Sequence, residues 1–290
     1  MPKICLGEDG FLKLTTMMQP RREEILNFAQ REKFEGIEIH SHWETYAMGL
    51  EGPLTKYYGE FGQAIPGLQT GHLTGMYPAL SDNPVVRQCY VQAVANAIRF
   101  IDALGGKHVS ITPPWFSAGQ TQETYTRNVK RFTEVLQEIV SVAEKYGPVL
   151  AIEPEPNLIL NGGGFRDSIE DVKEVLDAIN SKNLKVLFDL PHVNVMSHHD
   201  PVGYLKQLKG RVSWCHIADN DMTLTAIGTG KHLTFGEGNM DMEGFFTALK
   251  EECPDLEWLM IDTWECPDPY AVAAKNRQAL AEILKKINWA

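Results

Sequence analysis

Short apolar runs recur along the whole chain, and most are followed by a longer stretch with helical periodicity. The sequence predicts strands over 3–7, 37–40, 68–75, 108–112, 149–153, 184–188, 212–217 and 256–261. Between them it predicts helices over 21–34, 52–65, 84–104, 121–146, 168–179, 201–210, 241–252 and 269–287. The punctuation agrees with this division. Gly36 breaks the first helix, Pro84 suits a first helical turn, and Gly105-Gly106 and Gly147 stop the two longest helices. Regular strand–helix alternation implies a parallel sheet. Eight such units in roughly 250–300 residues is the arithmetic of a single (β/α)8 TIM barrel, and no change of composition divides residues 1–290 into two domains. The alternative is a doubly wound open sheet. Against it, no G-x-G-x-x-G follows the first run. The segment from Gly236 to Asp241 (GEGNMD) comes late and follows no clear strand, so it is not read as a dinucleotide site.

Four of the apolar runs deliver chemistry at their C-terminal ends. Ala151-Ile152 leads into Glu153-Pro154-Glu155-Pro156, where each proline keeps the preceding acid extended. Leu187-Phe188 leads into Asp189-Leu190-Pro191-His192, Val212 to Cys215 leads into His216, and Trp258 to Ile261 leads into Asp262. A carboxylate at the end of a buried run is costly unless a cation meets it. In a barrel the strand C-termini converge on one face. Glu153, Asp189, His216 and Asp262 are therefore expected to form one divalent-metal site. Three carboxylates and one imidazole suit Mn²⁺ best, with Mg²⁺, Co²⁺, Fe²⁺ or Zn²⁺ as alternatives. His192 is expected to ligate or to orient substrate. Glu155 reads either as a pocket residue facing the side of Glu153 or as a solvent-facing acid. His72, Glu38 and Trp115 read either as pocket lining or as structural residues, as does Trp264. His198-His199 reads as an exposed turn.

Net charge is −11 with histidine neutral, which argues against a nucleic-acid backbone as partner. No run approaches the 18 or so apolar residues of a membrane span. The first residues show no charged start followed by an apolar core, so no signal peptide is expected. The five cysteines are scattered and form no C-x-x-C pair, which fits a reducing compartment. A cytoplasmic protein acting on a small sugar-like molecule is the expectation, with a homo-oligomer left open.

The motifs A-I-E-P-E-P-N, F-D-L-P-H, C-H-I-A-D-N-D, G-E-G-N-M-D and M-I-D-T-W resemble those of the xylose-isomerase-like barrels. That superfamily includes ketose 3-epimerases, hydroxypyruvate isomerase, inosose dehydratase and endonuclease IV. The resemblance covers most of the chain and is firmest from residue 151 to 262. Carried over from the epimerase branch, it implies that Glu153, Asp189, His216 and Asp262 bind one metal and that His192 touches substrate oxygens. It implies a mainly structural role for the segment 236–241. Two positions depart from the pattern. Glu155 stands where xylose isomerase has lysine, so that lysine is missing as a carbonyl polariser. Asp262 is one methylene shorter than the usual glutamate, with Glu265 nearby. The endonuclease branch uses more histidines and a basic face, which this acidic chain lacks.

The implied chemistry is proton abstraction beside a carbonyl through an enediolate, with Glu153 as general base and Asp262 as ligand and opposing base. That makes an isomerase or epimerase of a ketose or related polyhydroxy carbonyl compound. A metal-dependent lyase acting on a keto-inositol or oxidised sugar shares the intermediate. A nuclease or a non-catalytic sugar-binding barrel is the more distant alternative.

Overall fold

The computed structural model describes residues 1–8, 10–11, 22–40, 48–70, 79–113, 121–156, 169–225 and 229–289. Its strands are β1 Lys3–Gly7, β2 Gly36–His40, β3 Gly67–Gln69, β4 His108–Ile111, β5 Val149–Ile152, β6 Leu184–Asp189, β7 Val212–Ile217 and β8 Trp258–Ile261. All pair in parallel in sequence order, and β8 closes on β1 to complete the barrel. The described helices are α1 Arg22–Arg31, α2 Glu51–Glu60, α3 Pro84–Leu104, α4 Gln122–Tyr146, α5 Ile169–Ile179, α6 Leu190–Met196, α7 Pro201–Leu208, α8 Met242–Glu252 and α9 Pro269–Lys286. No helix among the described residues is long and apolar enough to cross a membrane.

The helix starts follow local chemistry. Asn83 Oδ1 accepts from Val85 N at 2.9 Å and Thr121 Oγ1 from Thr124 N at 3.2 Å, satisfying donors that the helix itself cannot. Gly105 ends α3 in the left-handed region at φ 82°. In α4, Tyr125, Val129, Phe132, Leu136, Ile139 and Ala143 recur every three or four residues and are the buried stripe that packs on the barrel.

Two elements differ from the sequence reading. The helix expected over 52–65 ends at Glu60, because Gly62 turns the chain at φ 69°. The sequence reading missed α6, which begins directly after β6. Pro191 lies in its first turn, where a proline gives up no hydrogen bond, and Asp189 caps the helix. Of the strand expected over 68–75, Leu68 and Gln69 belong to β3, Thr70 follows the strand, and 71–78 lie outside the described residues.

Inside the barrel the strand period of two decides what faces inward. Cys5, Ala151, Leu187, Trp214, Trp258 and Met260 form a buried apolar plug. Four of them, Ala151, Leu187, Trp214 and Met260, lie two residues before Glu153, Asp189, His216 and Asp262. The plug thus fixes the direction and depth of the four polar side chains above it. Gly67 makes room for it, since a Cβ there would sit 3.3 Å from His108 and 3.5 Å from the Trp214 ring.

His108 is 9% exposed, with its ring 4.6 Å from that of Trp214. Burial pushes its imidazole down from 6.5 to about 4. The ring is neutral in the fold and gains a proton on unfolding, so its contribution is complete above pH 6.5 and lost as pH falls towards 4. At about 1.4 kcal/mol per pH unit the loss is about 3 kcal/mol. Urea unfolding of wild type and His108→Leu at neutral pH and at the lower limit checks this. The wild type should lose about 3 kcal/mol more than the variant, and parallel losses would assign the acid sensitivity to other groups.

Candidate metal centre

The four strand-end residues meet at the C-terminal mouth. Glu153 is 2% exposed, Asp262 is 3%, and Asp189 and His216 are fully buried. His216 Nδ1 lies 3.4 Å from Glu153 Oε1, 3.7 Å from Asp189 Oδ2 and 3.3 Å from Asp262 Oδ2. Its other ring nitrogen, Nε2, faces Glu38 Oε2 at 3.0 Å. A carboxylate behind an imidazole in this way fixes the ring and directs the opposite nitrogen into the centre.

Each carboxylate has one oxygen held by an N–H donor. Asp189 Oδ1 accepts from His192 N at 2.8 Å, Asp262 Oδ1 from Trp264 N at 2.7 Å, and Glu153 Oε2 from Gln69 Nε2 at 2.6 Å. The remaining oxygens, Oδ2, Oδ2 and Oε1, are the ones turned towards His216 Nδ1. This arrangement can give a cation one oxygen from each of three acids and one nitrogen.

His232, which the sequence reading did not single out, belongs to the centre. Its Nε2 is 3.3 Å from Asp189 Oδ2 and 3.4 Å from Asp262 Oδ2. It comes from the irregular loop after β7, where no apolar run points to it. Gly230 brings that loop in, since a Cβ there would sit 2.6 Å from the Pro191 backbone and 2.8 Å from His192 N. Buried amides hold the loop to α6. Asn194 Nδ2 donates to Asn220 Oδ1 at 2.9 Å, and Asn220 Nδ2 donates to Lys231 O at 2.8 Å. Further on, Asp219 Oδ2 accepts from Gly236 N and Gly238 N, so the segment 236–241 anchors the same loop.

His192 is 4% exposed, and neither ring nitrogen makes a hydrogen bond among the described residues. Its Nδ1 is 3.5 Å from Asp189 Oδ1 and 3.8 Å from Glu153 Oε1. Half-buried Glu155 groups with Glu153 and His192, and Thr112 Oγ1 lies 3.5 Å from its Oε1. His198 and His199 form an exposed turn, His199 Nδ1 pairing with Asn194 Oδ1. Trp264 is half-buried and reaches the centre through its backbone N–H. His72 and Trp115 lie outside the described residues.

The electrostatics favour a cation. Glu38, Glu153, Asp189 and Asp262 are each no more than 3% exposed, and imidazoles are their ion-pair partners among the described residues. Burial alone would lower His216, but Glu38 and Glu153 hold it well above the usual histidine range. Asp262 and Asp189 overcome burial in the same way at His232. Burial would raise Asp189 and Asp262, and the neighbouring imidazoles instead hold both below the usual carboxylate range. Burial lowers His192, leaving a neutral ring. Burial and the charges of Glu153 and Asp189 push Glu155 well up. A field that draws a proton onto two buried imidazoles also draws a divalent ion. In three groups, Glu153 with Asp189 and His216, Asp189 with His192 and His232, and Glu153 with Glu155 and His192, the ligand atoms lie within 4.8 Å of one another. Three acids with imidazole nitrogens free of hydrogen bonds are donors that fit a metal ion.

Comparison with known proteins agrees with the barrel. The family described as "Xylose isomerase-like TIM barrel" matches residues 26–286. An uncharacterized protein of Methanocaldococcus jannaschii is 27% identical over 215 residues, 72% of this chain and 67% of that protein. An inosose isomerase of Bacillus velezensis is 28% identical over 126 residues, 42% of each chain. The crystal structure of a D-tagatose 3-epimerase-like protein superposes with a TM-score of 0.77 at 21% identity, covering 99% of this chain and 98% of the other. At that identity the superposition speaks for the fold.

Proposed function

We propose that this chain, which belongs to the xylose isomerase-like TIM barrel family, is a divalent-metal-dependent isomerase or epimerase of a ketose or related polyhydroxy carbonyl compound. The observation that carries the reading is the convergence of Glu153, Asp189 and Asp262 on His216 Nδ1 at the barrel mouth. These four residues would hold the ion, Mn²⁺ being the first choice for this donor set. A bound divalent cation supplies Lewis acidity toward a carbonyl oxygen and the hydroxyl beside it.

The protein's own groups do the rest. Glu153 takes the proton from the carbon next to the carbonyl, leaving an enediolate, and can return it to the neighbouring carbon to complete an isomerisation. When the reaction is an epimerisation, Asp262, from the strand closing the opposite side of the site, would take a proton from solvent and deliver it to the other face of the enediolate, while Glu153 keeps the proton it removed. Neutral His192 and Glu155 offer hydrogen bonds to substrate hydroxyls. Inosose isomerase and the D-tagatose 3-epimerase-like protein, by their names, point to the same substrate class.

The test is a panel of free ketoses and keto-inositols incubated in heavy water with Mn²⁺ and followed by NMR. Interconversion with incorporation of one deuteron supports the reading. Loss of water instead of interconversion would make the protein a lyase.

A further inference from the structure

The three acids of the centre differ in what holds them. Asp189 and Asp262 are pinned by backbone N–H groups two or three residues away. Glu153 is pinned by a side chain 84 residues away in sequence. Gln69, 8% exposed at the end of β3, donates Nε2–H to Glu153 Oε2 at 2.6 Å, and its Oε1 accepts from Ser110 Oγ of β4 at 2.8 Å. Chemistry fixes the orientation of the amide. Turned over, its carbonyl oxygen would face a carboxylate oxygen at 2.6 Å, lone pair against lone pair. The relay Ser110–Gln69–Glu153 therefore crosses three adjacent strands and ends at the centre.

We infer that Gln69 is a positioning residue that occupies Glu153 Oε2 and so selects Oε1 as the atom Glu153 gives to the cation. A carboxylate with both oxygens free can swing or bind through both. The amide removes that freedom, because turning Glu153 would break a short charge-assisted hydrogen bond inside the barrel. Ser110 in turn stops the amide from rotating, and its own burial at 2% exposure keeps water from competing. The inference rests on the metal-centre reading above.

The experiment uses Co²⁺, whose visible absorption reports coordination geometry. Chelator-treated wild type, Gln69→Met and Gln69→His are titrated with Co²⁺, and circular dichroism and urea midpoints establish that each is folded. Gln69→Met keeps the side-chain length and removes the donor. It is expected to lose about 10–100-fold in affinity, the usual cost of removing an outer partner of a ligand, with a changed visible spectrum. Gln69→His restores an N–H at similar reach and is expected to recover affinity and the wild-type bands. If Gln69→Met does not fold, Ser110→Ala, which frees the far end of the amide, is judged by the same two readouts. Wild-type affinity and an unchanged spectrum in the folded variant would overturn the role of Gln69 and leave the centre standing. Failure of wild type itself to bind Co²⁺ would overturn the centre and the role of Gln69 together.

Discussion

Replacing Asp189 and His216 together by alanine is expected to abolish divalent-metal binding. The two residues lie on neighbouring strands at directly paired positions, so the change removes the middle of the ligand set. Asp189 also has an oxygen within 3.3 Å of His232 Nε2, so its loss loosens the second imidazole. Elemental analysis of wild type should find near one ion per chain, and of the double variant close to none. Loss of a single outer partner costs about 10–100-fold in affinity, and loss of two direct ligands should exceed that. Stability gives an independent reading. An ion that binds only the folded chain stabilises it by about 2.7 kcal/mol at a hundredfold excess over the dissociation constant. Mn²⁺ should therefore raise the melting temperature of wild type and leave that of the variant where it was. A double variant with full metal content would place the ion elsewhere.

The second large effect concerns the proton. Glu153→Gln keeps the volume and one oxygen but removes the base. It should weaken metal binding, and excess Mn²⁺ should restore occupancy in part. Even at full occupancy, exchange of the substrate proton with solvent should stay down by about 10²–10⁴-fold, the usual worth of a positioned general base. Asp262→Asn supplies the contrast. As a ligand alone it should be rescued by excess metal. As the second base of an epimerase it should leave exchange from one epimer intact while interconversion stops. Full recovery of exchange in metal-saturated Glu153→Gln would move the base to another group, Glu155 first.

The barrel was legible because its determinants are local. Short apolar runs, glycine stops and proline starts are all read within ten residues, and the strands fall where those signals put them. The meeting of the four strand-end residues was legible for a related reason. Each of them follows an inward-facing apolar residue by two positions, so strand direction alone aims it at the mouth. What escaped has no local signal. His232 sits in an irregular loop, and what brings it in is Gly230 passing against the Pro191 backbone together with the Asn194–Asn220 pair. Gln69 reads as an ordinary strand residue until the barrel closes and sets it against Glu153. The helix α6 was missed because Leu187 to His192 was read as one apolar run, when Asp189 caps a helix that has Pro191 in its first turn. Glu38 read either as pocket lining or as a structural residue, and its partner, His216 Nε2, depended on closure of the barrel.

The account turns on a proton leaving carbon at a metal-dependent site, and one measurement addresses that directly. Wild-type protein is mixed with the best substrate of the ketose panel in heavy water, and the proton signal beside the carbonyl is followed by NMR. One arm contains Mn²⁺, and one contains protein stripped with chelator. The account predicts loss of that signal in the first arm, its persistence in the second, and recovery of exchange when Mn²⁺ is returned. Exchange that runs equally fast in the stripped protein, or no exchange in the metal-loaded protein, would contradict it.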